Sequence, residues 1–86
     1  MMAETIQQYT QQFLDESGAA YLVYARGEAT AGGTWEGWLE FHPVDQAGPV
    51  LRTGRETTQP DRAALEYWAS GLEPLYFEGA FARAKQ

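Results

Sequence analysis

At 86 residues the chain has room for one domain with one core, and 44% hydrophobic and 14% aromatic residues place it among folded rather than disordered chains. Twelve acidic against six basic side chains give a net charge of −6, which argues against a phosphate-backbone binder, because a basic face supplies most of that affinity. No cysteine and a single histidine exclude a disulfide framework, a thiolate nucleophile and a Cys- or His-rich metal centre.

Residues 4–16 read as a helix. Ile6, Tyr9, Phe13 and Leu14 fall at offsets 0, 3, 7 and 8, one apolar stripe at helical spacing, with glutamines between them. Gly18 is placed to end it. Residues 20–28, AYLVYARGE, read as a strand on their Tyr and Val content. ATAGG at 29–33 is a turn, and 34–44, TWEGWLEFHPV, is the clearest strand. There Trp35, Gly37, Leu39 and Phe41 point one way, and Glu36, Trp38, Glu40 and His42 the other. DQAGP at 45–49 is a loop, and 50–58, VLRTGRETT, reads as a third strand with a bulge at Gly54.

A helix follows at about 60–70. Thr58 and Asp61 have capping-box spacing and Pro60 suits a first turn. Its buried stripe is Ala64, Leu65, Trp68 and Leu72, and Gly71 stops it. In the tail, Phe77, Ala80, Phe81 and Ala84 fit a short last helix with Arg83 and Lys85 near its end; a strand at 74–78 is the rival. One domain over 1–86 results, with a core over 5–84 and residues 1–3 expected to be disordered. No run approaches the ~20 apolar residues that span a bilayer. The opening segment, MMAETIQQYTQQFLDES, lacks the basic and apolar regions of a secretory signal, so a cytoplasmic location is expected.

Short links between strands favour antiparallel pairing. The expected fold is therefore α+β: a three-stranded antiparallel meander with helices on one face, in the order α-β-β-β-α plus a short C-terminal helix. Pairing Val23 with Leu39 and Phe41 with Leu51 puts Tyr21, Val23, Ala25, Trp35, Leu39, Phe41, Leu51 and Thr53 under the helices. The opposite face then carries Leu22, Tyr24, Arg26, Glu36, Trp38, Glu40, His42, Arg52 and Glu56. A one-residue slip would exchange the two sets.

That outer face is the candidate site. Tyr24, Trp38 and Leu22 should form an exposed apolar patch rimmed by charge, the pattern of a protein–protein interface. The expected function is a non-catalytic interaction domain that binds a protein partner or a second copy of itself as a homodimer. The bland alternative has Trp38 packed on Tyr24 and the Arg26 stem with nothing bound. Another alternative is a small-ligand or metal site on Trp38, Glu40, His42 and Arg52.

Catalysis fits less well, and no cofactor is implied. Glu36 and Glu40 stand four apart on a strand, roughly 13 Å, whereas glycosidase carboxylates sit ~5–9.5 Å apart; only a carboxylate from a neighbouring strand, such as Glu56, would rescue the idea. Glu40 and His42 are an incomplete ligand set. Ser17 and Ser70 occupy helix ends, without a GxSxG elbow, and the AGG turn has no Lys-Ser/Thr after it. The α-β-β-β-α order is also that of double-stranded-RNA-binding domains. Here Gln59-Pro60-Asp61-Arg62 sets one base beside one acid, and Arg52, Arg55 and Arg62 are at most a small positive spot, so charge disfavours RNA.

GGTWEGWLEF and RETTQPDRAALEYWASGLEPLYFEGAFARA, at their spacing, resemble a family of small bacterial proteins over about residues 21–84. The resemblance brings no activity with it. In outline the chain is also similar to HicB-like antitoxin domains, through Gly33, Trp35, Thr57, Thr58, Ala63 and Ala64. That resemblance implies a small basic toxin as partner, which suits the acidic charge. The acidic-Pro-x-x-x-Gly segment usual there is replaced by Phe41-His42-Pro43-Val44-Asp45, and the leading helix is an addition.

Overall fold

A computed structural model describes residues 2–86 and runs β1 (Glu4–Gln8), β2 (Phe13–Leu14), β3 (Ala20–Ala29), β4 (Trp35–Pro43), β5 (Leu51–Arg52), β6 (Thr57–Gln59), α1 (Arg62–Ser70) and α2 (Pro74–Ala84). Met1, one of the three residues expected to be disordered, lies outside the described residues. The α+β class stands, but the sheet has six strands where three were expected. All pairs are antiparallel. β3 and β4 form the spine, β1 and β2 share the outer side of β3, and β5 and β6 share the outer side of β4. The Cα radius of gyration is 12.8 Å. Among the described residues no helix is long and apolar enough to cross a membrane.

The expected first helix is absent; residues 4–16 hold β1, β2 and the arch between them. A register shift between Thr5 and Gln7 is a β-bulge, and the arch over Thr10–Gln12 skips further positions. These two irregularities set Ile6, Tyr9 and Phe13 against the core at a spacing that imitates helical period. The reason is the ladder: β3 has ten residues, and its edge opposite β4 needs partners that a helix could not offer. Gly18, at φ 87°, turns the β2–β3 hairpin instead of ending a helix. Asp15 holds that turn by accepting from the N–H groups of Ser17 and Ala19, both at 2.9 Å.

The β3–β4 register sets Val23 opposite Phe41 and Ala25 opposite Leu39. That is two residues from the expected Val23–Leu39 pairing, so the faces are unchanged. Phe41 pairs with Leu51 as expected. The expected third strand is broken in two, because Thr53–Glu56 leave the ladder around Gly54. Thr53 repairs the gap from the buried side. Its N–H reaches Leu39 O at 3.0 Å, and its Oγ1 accepts from Leu39 N–H at 3.1 Å while donating to Gly54 O at 2.7 Å. The break also reverses parity: Glu56, expected on the outer face, turns to α2. There it accepts from Tyr76 Oη at 2.5 Å and from Arg83 Nη2 at 2.6 Å. Burial alone would raise the Glu56 carboxyl, but the hydrogen bonds from Arg83 and Tyr76 and the Arg83 charge hold it below its usual range. Burial and that carboxylate push the Tyr76 phenol up to about 12.

Both helices cover one face. Asp61, rather than Thr58, caps α1, accepting from Ala64 N–H at 2.8 Å, while Thr58 lies in β6. The tail resolves as the helix, with Pro74 in its first turn and Arg83 in its last. Phe81 is the aromatic hub, with ring centroids 4.9 Å from Phe13, 5.0 Å from Tyr21 and 5.1 Å from Phe41. Fully buried Leu65 of α1 sits where Gly27 and Gly37 face each other across β3 and β4. A Cβ on Gly37 would lie 2.6 Å from Leu65 Cδ1 and 3.2 Å from Thr57 Cγ2, and one on Gly27 would press on Leu65 Cδ2 and the Glu36 carbonyl. The glycine pair is a socket that lets the helix approach.

Leu65→Ala should cost about 2–5 kcal/mol, the usual range for a buried Leu truncation, and Gly37→Ala about 1–3 kcal/mol by overpacking. In the double variant the new methyl enters space the leucine left, so the costs should sum to less than the singles. Urea denaturation of the four proteins checks this; strict additivity would show that Leu65 does not fill the socket.

Candidate functional site

Even-numbered positions of β3 and β4 build the outer sheet face, which neither helix covers. All eight expected residues lie on it: Leu22 opposite His42, Tyr24 opposite Glu40, Arg26 opposite Trp38, with Glu36 opposite Glu28 and Arg52 opposite Glu40. β1, misread as helix, completes the surface from the other side, with Thr5 opposite Arg26 and Gln8 opposite Tyr24. Arg26 Nη1 donates to Thr5 Oγ1 at 2.6 Å.

Glu40 is the centre of this face. One carboxylate oxygen accepts from Trp38 Nε1 at 3.0 Å, the other lies 2.9 Å from His42 Nε2, and Arg26 Nε stands 3.5 Å away. Burial raises the Glu40 carboxyl, but the hydrogen bonds from Trp38 and His42, with the charges of Arg26 and His42, outweigh it and hold the group below its usual range. Tyr24 packs against the His42 ring at 4.5 Å between centroids. Arg26 Nε is buried without a hydrogen bond, because its approach to Glu40 is an ion pair without bonding geometry.

The expected exposed tryptophan is not exposed. Trp38 is only 2% accessible, since the Arg52 guanidinium lies 3.9 Å over its ring. Arg52 comes from the neighbouring strand at the register of Glu40, so a flat cation caps the indole from above. The apolar part of the face that water reaches is therefore Leu22 and Tyr24, both half-buried. The cap was legible only as the bland packing alternative, and through the wrong arginine: Arg26 was expected over Trp38, and Arg52 provides the contact.

As chemistry, the cluster is an anchored aromatic–cation pair held by one carboxylate. Glu40 and His42 satisfy each other, and no group of three potential metal-ligating side chains occurs among the described residues. Charge is divided along the face. Arg52 forms no ion pair among the described residues, and neither does Glu28 at the other end. Glu28 and Glu36 oppose each other directly, with Arg55 only 3.8 Å from Glu36 as compensation.

A second concavity escaped the sequence reading. It lies between the 9–17 segment and α2, with a volume of about 840 Å³. Its floor is aromatic: Tyr9 packs on Phe77 at 4.8 Å and Phe13 on Phe81 at 4.9 Å. Reading 4–16 as a helix hid it, although the arch residues and the α2 aromatics were all in view.

Glu40 predicts a pH signature. A carboxyl whose folded pKa lies below its ordinary 4.5 stabilises the fold fully above that value and loses the contribution as pH falls through the folded pKa. Glu40→Gln should therefore be less stable than wild type at neutral pH, and the gap should close in acid. Chemical denaturation between about pH 7 and about pH 3 tests this; a gap that stays constant would mean Glu40 is no centre of charge.

Among known proteins the chain matches no family model, no curated protein and no solved structure.

Proposed function

We propose that the protein is a non-catalytic interaction domain that works through its outer sheet face, with a second copy of the chain as the simplest partner. The observation that supports this most is the polarity of that uncovered face. Arg52, stacked on Trp38 and donating from Nε to Thr53 O but without an ion pair among the described residues, lies beside Glu40 towards one end, and the opposed carboxylates Glu28 and Glu36, with Arg55 3.8 Å from Glu36, lie at the other. A two-fold axis lying in the plane of the contact, across the strands, sets each end against its opposite, so in that arrangement the surface is self-complementary. Leu22 and Tyr24 would give the contact its apolar part, and Arg52 is already held flat on Trp38, so it gives up little freedom on binding. The α-β-β-β-α order behind the RNA reading is not the order of this chain, which leads with strands and ends with two helices.

Size sets the expected strength. The six strands, at ~3.3 Å per residue and ~4.8 Å between neighbours, offer roughly 490 Å² of sheet face per partner. Stable interfaces bury ~800 Å² per partner, so a weak dimer with a dissociation constant of about 10–500 μM follows.

Sedimentation at several concentrations tests the reading. Wild type should shift from monomer to dimer, and Glu28→Arg should remain monomeric. Raising the salt concentration should weaken the wild-type dimer, because the contact sets opposite charges against each other. A wild type monomeric at about 1 mM would overturn self-association.

A further inference from the structure

We propose that the groove between the 9–17 segment and α2 binds an extended basic peptide as an added strand along β2, with an apolar side chain on its aromatic floor. Three independent features of that place converge.

The first is an unpartnered sheet edge. β2 pairs with β3 on one side only, and among the described residues no strand lies on its other side. Asp15 N–H is bonded inward to Ala19 O at 3.0 Å, so by ladder alternation the Leu14 N–H is directed outward. Leu14 itself is 64% exposed, an unprotected apolar residue on an edge. Such edges are either blunted or used, and an incoming strand is the natural use.

The second is the shape beside that edge. Pro74, Phe77, Glu78, Phe81, Ala82 and Lys85 line the opposite wall and recur at helical spacing, so one whole face of α2 runs along the groove. From Pro74 to Lys85 that wall is ~17 Å long, which matches about five residues of extended chain at ~3.3 Å each. An edge strand facing a helix across an aromatic floor gives a peptide both of its requirements. Backbone bonds come from the outward N–H and carbonyl of Leu14, and the apolar floor is half-buried Phe13 with the rims of buried Phe77 and Phe81, the Lys85 ammonium lying 5.2 Å from the Phe81 ring.

The third is charge. Glu16 and Glu78 are exposed on the two walls, and Asp15 stands beside Glu16; Lys85 is the one base among the lining residues. The surplus is acidic, as is the whole chain at −6, so the groove favours a basic strand and repels an acidic one. This surface is separate from the outer sheet face, and the two readings stand or fall independently.

The probe is the peptide acetyl-Lys-Thr-Leu-Thr-Lys-amide, whose first, third and fifth side chains share one face. Titrated into ¹⁵N-labelled protein, it should give saturable shifts at residues 12–16 and 77–85, with a dissociation constant below about 1 mM. Ala82→Trp, which fills the groove from an exposed helix position, should abolish binding, and Glu78→Lys should weaken it about fivefold. The counterpart with glutamates in place of lysines should not bind. Two further versions carry N-methyl groups at the threonines or at the lysines and leucine; one of them should lose binding, since alternate N–H groups face β2. Absence of saturable shifts, shifts centred on Tyr24 and Arg52, equal binding of the acidic peptide, or indifference to both N-methylated versions would each overturn the proposal.

Discussion

The architecture depends on how closely one helix approaches the sheet. Gly27 and Gly37 face each other across the two spine strands, and Leu65 occupies the hollow that their missing side chains leave. With any side chain there, α1 would ride higher, because cores at native packing density have no slack for added carbon. The position of α1 in turn places Ala69 in the core, and its carbonyl accepts from Tyr9 Oη at 2.6 Å. That bond ties the arch after β1 to the helix layer, and burial pushes the Tyr9 phenol up to about 12. One cross-strand glycine pair thus sets the helix, and the helix sets the strand edge that passes beside it.

The two sheet faces solve different problems. The inner face is held by aromatic packing around Phe81, which closes it except along the groove between the 9–17 segment and α2. The outer face has no helix above it, yet it carries a tryptophan. Its solution is to cover the indole with a guanidinium from the next strand and to anchor its N–H on Glu40. Charged groups do the covering, so the face stays wettable while its centre is rigid.

Much of this was legible in the residues. Period-two alternation in TWEGWLEF separates the two faces of β4 without ambiguity, and the register, though two positions from expectation, preserves that separation. The α1 segment is likewise written in Pro, Gly and Asp punctuation and in apolar spacing, whereas the tail admits a strand at 74–78 as well as the helix that forms. Residues 4–16 misled because Ile6, Tyr9 and Phe13 have helical offsets for a non-helical reason, a bulge followed by an arch. Periodicity reports which residues face inward, and it does not distinguish a helix from an irregular edge strand that skips positions.

The sequence by itself determined the α+β class, the pair of long antiparallel strands with the two faces of β3 and β4, and the helix at α1, while it left 74–78 open between helix and strand. Those follow from local rules of propensity, alternation and capping. Only the tertiary structure decided that the first segment pairs with β3, that Glu56 leaves the outer face for Tyr76 and Arg83, and that Arg52 rather than water covers Trp38. Each of these depends on which distant group satisfies a backbone edge, a carboxylate or a ring face. Such partners meet only when the chain has closed around its core.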